Sequence, residues 1–222
     1  VVRRYEQYAE AIVGAEVFHA RYMSLPLEVP DARYRNTTAT LSGDEGIHEI
    51  TRDELDTLKP IKQDGTVTSG GQTHPADGNA AMVVTSRDRA LSLSRDPSVE
   101  ICVKGFGTAR VEKAFMPYAP VPAAQHALDD AGMSLAKIDA VKTHNPFAVN
   151  DIVFSRETGR DVMAMNNFGC SLVWGHPHAA TGLRSVIELI EELAQRGGGT
   201  GLFTGCAAGD TAMAVVVEVG DA

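Results

Sequence analysis

TGLRSVIELIEELAQRGGGTGLFTGCAAGDTAMAVVVEV, the stretch from Thr181 to Val219, decides the fold class. Leu183, Val186, Ile187, Ile190, Leu193 and Ala194 recur at helical spacing, opposite Arg184, Glu188, Glu191 and Glu192. That spacing predicts an amphipathic helix over 181–196 with a charged outer face. Gly197-Gly198-Gly199 stops it. Gly201–Cys206 and the valine-rich Ala212–Val219 then read as two adjacent strands, because branched side chains suit a pleated, half-buried surface.

Moving toward the N-terminus, the same alternation continues. Ile138–Thr143 is predicted as a strand and Phe147–Thr158 as a helix. Pro120–Gly132 reads as a helix with proline at its start and glycine at its end. Val99–Phe106 is a further strand, and strand–helix alternation closing on two adjacent strands fits an α/β layered domain. Further upstream, Ala80–Thr85 is expected to be a short buried strand and Arg87–Leu93 a helix. Thr66–Gly78 is dense in turn-forming residues, and Ser24–Pro60 alternates extended pieces with turns. Thr51 is expected to cap a helix there, and Val1 to about Met23 reads as a single helix.

The composition narrows the function. With 44% hydrophobic and 22% charged residues, the 222-residue chain can bury a real core and is not a disordered segment. A formal net charge of -9 argues against nucleic acid as a partner, since a polyanion would be repelled over most of the surface. No apolar run is long enough to span a bilayer, and Val1-Val2-Arg3-Arg4 lacks a signal-peptide core, so neither a membrane nor export is expected. Cys102, Cys170 and Cys206 are widely spaced and odd in number, which suits a reducing cytoplasm and no disulfide framework. No Cys/His cluster suggests a metal. The start without Met points to processing or to one part of a larger assembly.

Three motifs fall at strand ends or helix starts. Thr143-His144-Asn145-Pro146-Phe147 puts His144 at the C-terminal end of a predicted strand, where ligands gather in α/β sheets. Alone, it reads as readily as a turn histidine bonded to backbone. Trp174-Gly175-His176-Pro177-His178 precedes the long helix and its positive N-terminal end; His178 can equally be a solvent-facing neighbour. Gly205-Cys206-Ala207-Ala208-Gly209-Asp210 places a cysteine among small residues whose backbone N–H groups could form an oxyanion hole. Cys102, inside a predicted strand, is expected to be a small buried hydrophobe.

The order and spacing of these motifs resemble the thiolase family. His144-Asn145-Pro146-Phe147-Ala148 is similar to its Asn-Glu-Ala-Phe-Ala or His-Glu-Ala-Phe-Ala segment. Asn166-Asn167-Phe168-Gly169-Cys170-Ser171 leading to Gly175-His176-Pro177 resembles the family's approach to Gly-His-Pro. Gly201–Cys206 is similar to the strand ending in its second cysteine, and Asp64–Thr68 with Asp77-Gly78 to its Gly-Thr-Val-Thr stretch.

What the resemblance implies is specific. The fold would be an α/β, thiolase-like layered fold. Residues 98–222 would form the C-terminal βαβαβαββ domain, 63–97 the last strand and helix of the N-terminal half, and 1–62 the tail of the loop domain. Cys206 would shuttle protons, His176 would activate a nucleophilic cysteine, and His144 would bind the enolate oxygen. The Ala208 backbone N–H would help bind the acyl-enzyme carbonyl, and Thr73, His74, Phe147 and Asn166 would contact substrate. Thr73-His74 stands where a Ser–Gly pair is usual, and Asp210 brings an acidic side chain near the site. The nucleophilic cysteine belongs to the family's N-terminal half, which this sequence lacks.

The implied activity is acyl transfer on 3-ketoacyl-CoA thioesters, in thiolytic cleavage or Claisen condensation, as part of lipid metabolism. Coenzyme A is then a substrate and no cofactor is tightly bound. The implied partners are acyl-CoA, coenzyme A and a companion polypeptide or the missing half, in a dimer or tetramer. A ketoacyl synthase would lack the second cysteine, so Cys206 counts against it. The alternative outside catalysis is a thiolase-like subunit that scaffolds an acyl-CoA enzyme.

Overall fold

The structure, a computed structural model, describes residues 1–13 and 16–221. The chain opens on α1 (Val2–Val13) and α2 (Glu16–Tyr22), where a single helix is expected; residues 14 and 15 lie outside the described ones. A hairpin follows, β1 (Leu27–Pro30) with β2 (Thr37–Leu41), antiparallel. Next come α3 (Arg52–Asp56) and α4 (Arg87–Leu93). Thr51 caps α3 in a full capping box with Glu54, each side chain bonding the other's backbone N–H.

The expected buried strand at Ala80–Thr85 is not one. The segment is unpaired, and Val83 and Val84 are 75% and 76% exposed. An apolar run becomes a strand only beside another strand, and none of the described strands lies next to it.

The remainder builds one layered domain: β3 (Val99–Arg110), α5 (Pro120–Ala131), β4 (Ala140–His144), α6 (Ala148–Thr158), α7 (Ser171–Trp174), α8 (Thr181–Gln195), β5 (Gly199–Ala207) and β6 (Thr211–Asp221). The sheet order is β3-β6-β5-β4, with β4 parallel to β5 and the other pairs antiparallel. Beside β4, Asn166 N–H donates to Val141 O at 2.9 Å, but left-handed backbone at Asn166 and Phe168 stops further pairing.

Period-two alternation on β6 divides the core. Ala212, Ala214 and Val216 pack with Ala123, Ala127 and Leu128 of α5, while Val217 and Val219 pack with Leu189 and Leu193 of α8. α5 lies close on β3 because Gly105 and Gly107 face its alanines. A Cβ at Gly107 would sit 2.4 Å from Ala123 O and Ala127 N. Cys102 departs from expectation: it is exposed, since β3 is an edge strand with neighbours Ile101 and Val103 also open.

The charged face of α8 is another departure. Glu188 and Glu192 are 0% and 1% exposed. Each carboxylate is buried with partners that sequence spacing does not reveal. Glu188 accepts from Lys142 Nζ at 2.9 Å and Tyr22 Oη at 2.7 Å, and Glu192 accepts from Asn167 Nδ2 at 2.8 Å. Burial opposes the Glu188 charge, yet Lys142 and Arg184 hold its pKa below the ordinary carboxylate value. Arg184 also binds Asp44 and stacks over Trp174, tying the N-terminal segments to α8.

Candidate active site

His144 ends β4, whose five residues are all buried, and pairs in register with Gly205 of β5. The two strands are parallel, so their C-terminal ends bring His144 and Cys206 to one edge of the sheet. Pro146 cannot continue the ladder, and the chain turns into α6 behind it. His144 Nδ1 lies 2.8 Å from Ser171 Oγ.

His176 enters from the loop before α8. Its Nδ1 lies 2.7 Å from the hydroxyl of Thr181, the first residue of that helix. That hydroxyl also lies 3.0 Å from Pro177 O. The rings of His144 and His176 stand 4.3 Å apart, and His178 continues the row at 4.3 Å from His176. Burial, then the neighbouring imidazoles, push the His144 pKa down to about 3. Burial and His178 also lower that of His176. Both rings are therefore neutral at physiological pH.

Cys206 is 7% exposed, and burial pushes its thiol up to about 11. Asn150, on the first turn of α6, donates Nδ2–H to Sγ at 3.3 Å and works in the opposite direction. The parallel strand ends thus carry a protonated thiol on β5 and a neutral imidazole on β4, with that of His176 against the latter.

Residues 72–76 lace the two histidine loops together. Gln72 bridges Phe147, Thr73 N–H donates to Pro146 O at 2.8 Å, and Thr73 Oγ1 donates to Ser171 O. His176 N–H donates to His74 O at 2.9 Å. Thr73, His74 and Phe147 therefore border the site, each half-buried. Ala208 lies exposed on the β5–β6 turn, two residues beyond Cys206. The Asp210 carboxylate accepts from Ala114 N–H at 3.1 Å.

Asn166 is not brought to this cluster's open side. It is 0% exposed, and its amide is turned onto Thr143 and Asp151, fastening β4 from within. That placement speaks for holding the strand rather than touching a substrate. Sequence reading passed over Asn150, Ser171 and Thr181. A polar residue on the first turn of each of three helices carries no distinguishing signal until the fold aims it at a thiol or an imidazole. Among the described residues no group of His, Cys, Asp and Glu is placed to hold a metal ion.

Residues 98–219 match the family described as thiolase, C-terminal domain. The chain belongs to the thiolase family. A 3-ketoacyl-CoA thiolase of Pseudoalteromonas atlantica is 36% identical over 72% of this chain and 41% of that protein. An acetyl-CoA acetyltransferase of Chromobacterium violaceum is 32% identical over 87% of this chain and 49% of that protein. Among solved structures, the acetyl-CoA acetyltransferase of Bacillus anthracis superposes with a TM-score of 0.86 at 27% identity, covering 98% of this chain and 54% of the other. Human mitochondrial 3-ketoacyl-CoA thiolase in complex with CoA gives 0.84 at 28% identity, over 98% and 52%. This thiolase chain therefore spans about half the length of the relatives it matches. No helix among its described residues is long and apolar enough to cross a membrane.

Proposed function

We propose that this thiolase chain supplies the proton-handling half of an active site for 3-ketoacyl-CoA thioesters, cleaving them with coenzyme A or running the reverse Claisen condensation. One observation carries the reading. A thiol with a pKa raised to about 11 sits at the ends of two parallel strands with a pair of neutral imidazoles 4.3 Å apart.

The steps follow from those states. A nucleophilic cysteine from outside residues 1–222, on the same polypeptide or a companion chain, attacks the 3-keto carbon. The neutral imidazole of His176 is suited to take that cysteine's proton. The C2–C3 bond breaks, and its electron pair moves into the thioester as an enolate whose oxygen His144 binds. Cys206, held as a thiol, gives its proton to C2 and acetyl-CoA departs. The Cys206 thiolate then takes the proton of an incoming CoA thiol, whose sulfur attacks the acyl-enzyme carbonyl and releases the nucleophilic cysteine, which takes its proton back from His176. Ala208 N–H binds that carbonyl in this scheme, while Thr73, His74 and Phe147 border the CoA approach.

The same reading partitions the chain into a loop-domain tail (1–62), the end of an N-terminal half (63–97) and the C-terminal domain (98–222). It sets the whole in a cytoplasmic dimer or tetramer. The test is Cys206→Ser in the assembled enzyme. Acetoacetyl-CoA cleavage should fall by orders of magnitude while acylation of the nucleophilic cysteine still occurs. Turnover close to wild type would make Cys206 a packing residue.

A further inference from the structure

We propose that Ser171 is a positioning residue that fixes the tautomer of His144, donating its Oγ–H to Nδ1 so that the ring's proton sits on Nε2. The inference rests on the proposed role of His144 as enolate donor.

Ser171 is 0% exposed at the start of α7, and three groups meet its Oγ. His144 Nδ1 is nearest at 2.8 Å, with Asn145 N–H and Asn145 Oδ1 each at 3.2 Å. The Asn145 N–H can only donate, so it takes one lone pair of Oγ. The single hydroxyl hydrogen must then choose between Nδ1 and Asn145 Oδ1. Asn145 Oδ1 already has a donor, Leu172 N–H at 3.1 Å. The Asn145 amide cannot flip away, because its Nδ2 donates to Asp151 Oδ2 at 2.8 Å. The shorter contact sends the hydrogen to Nδ1. A neutral imidazole whose Nδ1 accepts carries its hydrogen on Nε2.

Among the described residues Nε2 of His144 meets no hydrogen-bond partner, and it is not sealed from solvent. An N–H there points at what binds in the site. Burial and the neighbouring imidazoles keep His144 neutral, so only tautomer, and not charge, is at issue.

The experiment is 15N NMR of histidine-labelled native enzyme, with Ser171→Ala alongside. The expected wild-type signature is a protonated Nε2 and a bare Nδ1 on His144, with a shift toward Nδ1–H in Ser171→Ala. That variant should lose at least about tenfold in kcat with little change in KM, bounded by the ~100-fold cost of losing an oxyanion donor. A protonated Nδ1 in the wild type overturns the proposal even if the variant fails to fold, and so does an unchanged tautomer in a folded variant. A tautomer shift without loss of kcat upholds the role of Ser171 and overturns His144 as the enolate donor.

Discussion

Removing the amide of Asn150 isolates what tunes the Cys206 proton. Among the described residues the Asn150 Nδ2–H, 3.3 Å from Sγ, is the one side-chain hydrogen bond that favours the thiolate against burial. A hydrogen bond to a charged acceptor is worth about 1.5–3 kcal/mol, or roughly one to two pKa units. Asn150→Ala should therefore raise the thiol further from its value of about 11 and cut the thiolate population near pH 8 by about tenfold to a hundredfold. Among the described residues Asn150 Oδ1 is buried without a partner, so the variant also removes an unsatisfied oxygen and should unfold within a few degrees of wild type. Iodoacetamide alkylation of Cys206 against pH, followed by peptide mass mapping, reads the change, with exposed Cys102 as the internal reference. Turnover should fall in parallel, because the thiolate must form in every cycle. Unaltered alkylation and turnover in a folded variant would refute the reasoning.

Three further outcomes follow from the geometry. His144→Ala should lower kcat about a hundredfold with little effect on substrate binding, and His144→Asn should retain clearly more activity than alanine. Because the His144 pKa is pushed to about 3, that deficit should be constant from pH 6 to pH 9 in steady-state assays. Lys142→Met strips the closest cation from buried Glu188 and should cost about 3–5 kcal/mol by urea denaturation. The Glu188 pKa is depressed in the folded state, so its contribution is full above the unfolded value of ~4.3 and fades as pH falls through the folded one. Gly107→Val should prevent α5 from seating on β3, since even a Cβ would meet backbone at 2.4 Å, and its melting temperature should drop well beyond that of an exposed control such as Val83→Ala.

The strands and helices from Val99 onward were legible because compact apolar runs alternate with helical spacing and are bounded by turn residues, with Pro120 and Gly132 marking the limits of α5. Patterning failed where tertiary partners decide. Ala80–Thr85 has the composition of a strand but no described neighbour to pair with. Glu188 and Glu192 look like surface charges until Lys142, Tyr22 and Asn167 are seen to close on them. At the site, motif order singled out His144, His176 and Cys206, which the fold brings to one sheet edge. It gave no hint of Ser171, Asn150 or Thr181, whose roles depend on which atom each side chain reaches. Asn166 shows the converse, a residue suggested by its motif whose amide is spent inside the protein.

In the proposed reaction this chain moves the proton while another segment holds the acyl group. Quenching the assembled enzyme during acetoacetyl-CoA turnover and mapping acetylated cysteines by mass spectrometry tests it most directly. The acetyl group should appear on a cysteine outside residues 1–222, with Cys102, Cys170 and Cys206 unmodified. An acetyl group that forms and turns over on Cys206 would contradict it.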